Sequence, residues 1–223
     1  MISHKENIET AHIFYELFMP FICIAYYKYS MEKSNRLEYL NEKIAKSKQK
    51  EIEDSILYAK KIQDAMMVSE NYLKETLPES FILYLPKDIV SGDFYWAHKN
   101  KKNEIYFTVS DCTGHGVPGS LMSMIGTTLL NEIIVEMNIK ETDKILNEMR
   151  NQIIKTLHQD ENNSQKDGMD MTLVKLDNKK KEIEFSSANN VLVHVSNGNL
   201  KSYKGDHQPV GFYSGKNTSF TKQ

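Results

Sequence analysis

Two aspartates, Asp93 and Asp111, sit at the ends of apolar runs in the stretch "DIVSGDFYW…YFTVSDCTGHGVPGS". If they face each other across an antiparallel hairpin, the turn is centred at position 102, and the polar run Lys99–Asn103 is centred about one residue away. The spacing therefore predicts cross-strand neighbours, to within one residue. Like charges opposite each other destabilise a sheet, and two carboxylates held together raise each other's proton affinity. A hard divalent cation is the simplest compensation, because Mg²⁺, Mn²⁺ and Ca²⁺ take oxygen ligands. The other reading is a slipped register with both acids solvated at strand ends.

The following "DCTGHG" adds to this picture. Gly114 and Gly116 permit a tight turn, which can bring the Cys112 carbonyl beside Asp111 to face a cation. A helix beginning near Pro118 presents its N-terminus nearby, a natural place for an anion such as phosphate. A third acid, Asp170, immediately precedes a strand in "DGMDMTLVKLD", with Asp167 as a neighbour; alone, either reads as a turn residue. His115, between its glycines, reads as a structural turn residue or as a proton donor to a leaving group. Nothing in the sequence pairs a nucleophile with a base, and the glycine spacing does not fit a dinucleotide site.

The elements that must position these residues are legible from periodicity. Short aromatic and β-branched runs predict strands: "FILYLP", "DFYW", "EIYFTVS", "MTLVKLD", "KEIEFSSA", "VLVHVS" and "LKSYK". Polar turns separate them, and Asn197-Gly198 is a strong hairpin signal. Two helices interrupt the strands. One runs from Pro118 to about Glu136. The other runs from Thr142 to about His158, with Ile145, Leu146, Met149, Ile153, Ile154 and Leu157 on one face. Gln159–Gly168 reads as a polar loop. Antiparallel hairpins with inserted helices predict an α+β sandwich.

Ser30 to about Met67 predicts one long, charged helix. Leu37, Leu40 and Ile44 follow one heptad seam; Ile52, Ile56, Ala59, Gln63 and Met66 follow another, offset by about one residue. That spacing favours a two-stranded coiled coil and a homodimer over a helix packed on its own domain. Before it, Ile13–Tyr29 is strongly apolar but broken by Glu16, Pro20 and Lys28. It is a borderline bilayer segment, against roughly 20 apolar residues needed, or else a partner-packing helix. The expected organisation is an apolar segment at 1–29, a signalling helix and linker at 30–76, and a globular domain at 77–223.

The chain has 223 residues, two distant cysteines and a net charge of −2, so it makes no electrostatic case for nucleic acid and matches no zinc or redox spacing. Cysteine usage fits a reducing, cytoplasmic setting, with anchoring to the inner face of the cell membrane as an extension of it.

"PKDIVSGDFYW", "VSDCTGHGVPGSLMSMIG", "DGMDMTLVKLD" and "SSANNVLVHVSNGNLKSYKGDHQPVGF" resemble successive motifs of the metal-dependent serine/threonine protein phosphatases, PPM family, in their bacterial SpoIIE-like branch. "SILYAKKIQDAM" is similar to the linker that joins sensor modules to this domain, and the resemblance covers about Ser55 to Phe212. It implies an α-β-β-α sandwich and a binuclear Mn²⁺ or Mg²⁺ centre whose bridging water attacks phosphoserine or phosphothreonine. Asp93 and Asp111 match metal-binding aspartates. Cys112 takes the position whose backbone carbonyl commonly joins them, and Asp170 matches a further acid of the metal site. The implied substrate is a regulatory protein of the anti-sigma-factor antagonist type. The family continues after the "PVGF"-like element with further strands and a "DG" metal-binding motif that these residues do not include, so the resemblance implies a C-terminally truncated domain. The expectation is a phosphatase domain of doubtful activity in this chain; the rival is a catalytically inactive dimeric interaction module.

Overall fold

In the computed structural model, residues 2–160, 166–215 and 218–223 are described, with side chains from position 12 onward. The middle of the expected polar loop, 161–165, lies outside them. The chain divides after Asp54 into two compact units. Helix α1, Ile2–Met66, supplies the first and the start of the second.

In the first unit the helix runs through Pro20, although proline removes a backbone donor. Ile13, Phe14, Phe21 and Ile22 are exposed, as are the seam residues Leu37, Leu40 and Ile44. Among the described residues no helix is long and apolar enough to cross a membrane. The charged Glu16 and Lys28 and the tyrosines at 15, 26, 27 and 29 keep the apolar segment below that level.

In the second unit, the strands are β1 (Phe94–Lys99), β2 (Glu104–Cys112), β3 (Gly168–Asp177), β4 (Glu182–Ala188), β5 (Val191–Ser196), β6 (Asn199–Lys204) and β7 (Val210–Gly211). Strands β1-β2-β3-β4 form an antiparallel sheet in that order, with β7 beside β3; β5 and β6 form a separate hairpin. Asn197 and Gly198 both take positive φ in that hairpin's turn, as the Asn-Gly signal predicts.

Helices α2 (Glu70–Thr76), α3 (Gly116–Leu130) and α4 (Thr142–Thr156) complete the unit. α3 starts two residues before the expected Pro118 and passes into a π-helical turn at Asn131–Glu136, where Asn131 Oδ1 accepts from the Trp96 indole at 3.1 Å. On α4, Ile145, Leu146, Met149 and Ile153 repeat at helical spacing and are fully buried against Phe94, Trp96, Met171 and Leu173 from one face of the sheet. This is the α+β architecture the sequence predicts, with antiparallel sheets and a long N-terminal helix.

Two expectations change. "FILYLP" is not a strand: Phe81, Leu83 and Leu85 are exposed, and no described strand pairs with them. A run of strand-forming residues becomes a strand only when a neighbour completes its ladder. Ile52, the first residue of the second heptad seam, is exposed, but from Ile56 onward the seam faces its own domain. Ile56, Ala59 and Met66 are half-buried and Gln63 is buried, its amide donating to Ser91 O at 2.6 Å and Ser123 Oγ at 2.8 Å. At the other end of the chain, Phe220 is buried against the Arg150 guanidinium, and Gln223 exchanges two 2.9 Å backbone hydrogen bonds with Phe185.

Candidate metal centre

The β1–β2 register pairs Phe94 with Ser110, so one further step places Asp93 opposite Asp111. The turn chemistry fixes that register. Asn100 Oδ1 accepts from Lys102 N at 2.9 Å and Glu104 N at 3.0 Å, and Asn103 takes positive φ. Asp93 is anchored by its backbone: its N–H donates to Ser91 Oγ at 3.0 Å and its carbonyl accepts from Tyr84 OH at 3.1 Å. Burial pushes the Asp111 carboxyl above the usual carboxylate range, and the charge and hydrogen bond of Asp93 push it further. Two carboxylates in contact share a proton when no cation separates them.

Asp170 lies opposite Asp111 on β3. Residues in register share a face of the sheet, so the three acids form a row across β1, β2 and β3. Asn189, held at positive φ, donates from Nδ2 to Asp170 Oδ1 at 2.7 Å. Asp167 is placed through its carbonyl, which accepts from Gln159 Nε2 at 2.7 Å. At the far end of the sheet Lys175 lies 3.7 Å from both Glu104 and Glu184. No lysine or arginine bridges Asp93, Asp111 or Asp170 among the described residues.

The "DCTGHG" turn is held on both sides. Thr113 N–H donates to Gly168 O at 2.9 Å, and Gly168 N–H returns to Thr113 Oγ1 at 3.2 Å. The Gly114 carbonyl packs where Gly92 and Gly119 leave room: a Cβ would stand 2.8 Å from it on Gly92 and 2.5 Å on Gly119. The Cys112 carbonyl borders the same junction, 3.3 Å from the Gly92 Cβ position. The Cys112 thiol is buried, and burial pushes its pKa far up, so it is a packing group and not a nucleophile. His115 stands at the N-cap of α3, its Nδ1 2.9 Å from Asp88 Oδ2.

Among the described residues no three His, Cys, Asp or Glu side chains are gathered closely enough to hold a metal ion. The donor chemistry nevertheless fits a hard divalent cation. Asp93 and Asp111 bring carboxylates together at the end of the β1–β2 pair, and among the described residues no lysine or arginine bridges them, so the place between them suits an ion.

Sequence reasoning does not single out Asp88, Asn189 or Ser91. None carries a local signal, because each acts through a partner 19 or more residues away or through the backbone. Gln63 is visible only as a polar member of a heptad seam, which understates it.

Among curated proteins none matches the chain. The SiaA-PP2C domain of Pseudomonas aeruginosa superposes with a TM-score of 0.66 at 29% identity, over 78% of this chain and 67% of that one. The PP2C phosphatase domain and regulatory-domain fragment of the cell fate determinant SpoIIE from Bacillus subtilis gives a TM-score of 0.44 at 14% identity, over 60% of this chain and 38% of that one. The family described as Stage II sporulation protein E (SpoIIE) matches residues 101–222, more than half of the chain. By that match the chain belongs to the SpoIIE family of PP2C-type phosphatases.

Proposed function

We propose that this chain is a protein serine/threonine phosphatase domain that hydrolyses phosphoserine or phosphothreonine on a bacterial regulatory protein, of the anti-sigma-factor antagonist type. The observation that carries this reading is the register that sets Asp93 opposite Asp111, with no lysine or arginine bridging either among the described residues, at the end of a PP2C-like sheet. Asp93, Asp111 and the Cys112 carbonyl are the groups that would hold Mn²⁺ or Mg²⁺, with Asp170 assisting. Bound there, such an ion supplies Lewis acidity toward water and toward phosphate oxygens.

The residues around the pair have positioning work. Ser91 and Tyr84 hold the Asp93 backbone, and Asn189 fixes the Asp170 carboxylate. The three-glycine junction keeps bulk away from the turn that carries Cys112 and His115.

The exposed seam Leu37, Leu40 and Ile44 supports homodimerisation through α1. The proposed location is the cytoplasm, with the apolar part of α1 able to associate with the inner face of the cell membrane. The enzymatic reading is tested by release of inorganic phosphate from phosphoserine and phosphothreonine peptides with Mn²⁺ supplied or withheld. Metal-dependent release supports it; no release under either condition contradicts it. Sedimentation equilibrium of the chain with and without Leu40→Glu tests the dimer.

A further inference from the structure

The run Phe81–Leu85 has the pattern of a strand and no strand beside it. Exposure alternates along it. Phe81, Leu83 and Leu85 are 91%, 79% and 82% exposed, whereas Ile82 falls to 42% and Tyr84 and Pro86 are half-buried. That period of two marks one face turned to the domain and one to solvent. The inward face is tied down. Tyr84 OH donates to the Asp93 carbonyl at 3.1 Å, its ring meets Tyr95 edge-on at 5.8 Å, and Ile82 lines a hollow with Leu73 and Tyr95. Among the described residues, the backbone polar groups of 81–86 make no hydrogen bond. An open ladder edge without a charge along it is a template for another strand.

The segment is complementary to itself. When two copies run antiparallel about a two-fold axis at Leu83, Phe81 meets Leu85 of the second copy and Ile82 meets Tyr84. The same register sets Glu79 opposite Lys87 at both ends. Both charges are exposed, and neither has an ion-pair partner among the described residues. A slip of one residue sets Glu79 against Pro86 or Asp88 instead, so the charges select one alignment. Pro86 fits it too. With Phe81, Leu83 and Leu85 exchanging the ladder hydrogen bonds, Pro86 falls on the opposite edge, where its missing N–H disfavours a third strand. The arrangement therefore closes at two chains. We propose that residues 79–87 form an antiparallel ladder with the same residues of a second copy of this chain, a self-association surface separate from the α1 seam. A ladder this short lies at the low end of interface sizes, so the association is weak and concentration-dependent. It needs neither metal nor substrate and stands apart from the phosphatase reading.

The test uses the full chain carrying Leu40→Glu, which removes the α1 seam, and Cys23→Ser, which removes the exposed thiol. Sedimentation equilibrium should still show monomers and dimers in exchange. Leu83→Lys, which opposes two like charges at the axis, should weaken the dimer about ten-fold or more. Glu79→Lys and Lys87→Glu should each weaken it several-fold, and the two changes together in one chain should restore it. Register is read by cysteine pairing under mild oxidation. Leu83→Cys should give a disulfide-linked dimer, because a residue on the axis faces its own copy across about 5.5 Å, within the span of a disulfide. Phe81→Cys and Leu85→Cys should each fail alone, their copies lying roughly 14 Å apart, and should link when the two variants are mixed. A chain that stays monomeric at every concentration, a dimer that ignores Leu83→Lys, no rescue by the charge exchange, or equal linking by all three single cysteines would overturn the proposal.

Discussion

Asp93 and Asp111 stand opposite each other one step beyond the Phe94–Ser110 pair, where β1 begins and β2 ends, and among the described residues no lysine or arginine bridges them. A folded chain that keeps such a pair carries a local destabilisation, which a proton or a cation relieves.

Replacing Asp111 should therefore separate stability from function. Asp111→Asn removes one of the two charges and can keep the hydrogen bond. The metal-free variant should melt at a higher temperature than the native chain near neutral pH, while Mn²⁺ should no longer raise its melting temperature. Scanning calorimetry with and without Mn²⁺ checks both; an unchanged Mn²⁺ response would remove Asp111 from the site.

The pH dependence has a definite sign. Burial and the neighbouring Asp93 charge raise the Asp111 pKa in the folded state above its ordinary carboxylate value. Its contribution to metal-free stability is fully present below the unfolded value and is lost as pH rises through the folded one. The stability difference between native chain and Asp111→Asn should therefore grow with pH across that window. Metal binding must displace the shared proton, so Mn²⁺ affinity should fall as the solution is acidified. Denaturant titrations at several pH values, without divalent ions, test the first statement; calorimetric titrations with Mn²⁺ test the second.

Gln63 joins the end of α1 to the segment before β1 that carries Asp93. Its side chain contacts the backbone of Ser91 and the Ser123 hydroxyl, and Ser91 Oγ accepts from Asp93 N–H. Gln63→Ala leaves buried polar groups without partners, at a cost of about 1–3 kcal/mol. Urea unfolding should show that loss. Gln63→Glu should cost more, because it places a charge where the native side chain is 2% exposed.

Gly119→Ala tests the junction beneath the site. The new methyl would stand 2.5 Å from the Gly114 carbonyl, against backbone that cannot swing away. Overpacking of this kind costs roughly 1–3 kcal/mol. Denaturant midpoints should fall accordingly, and Mn²⁺ affinity should fall with them.

The sequence made the hairpin and its register readable because both are local: a polar turn of fixed length dictates which residues oppose each other. The amphipathic face of α4 and the Asn197-Gly198 turn were legible for the same reason. "FILYLP" misled because its composition suits a strand, whereas pairing depends on a neighbour elsewhere in the chain. Gln63 fits a heptad seam by spacing, yet its burial depends on Ser91 and Ser123, 28 and 60 residues away. Asp88 and Asn189 acquire meaning only through His115 and Asp170. Local periodicity carries no information about such partners.

The most direct test of the central claim is phosphate release from a phosphoserine peptide by the native chain and by Asp111→Asn, at matched Mn²⁺ and neutral pH. The account predicts Mn²⁺-dependent release by the native chain and a loss of at least 100-fold in the variant, on the scale of lost electrostatic stabilisation of a transition state. Equal rates in the two proteins, or release that ignores Mn²⁺, would contradict it.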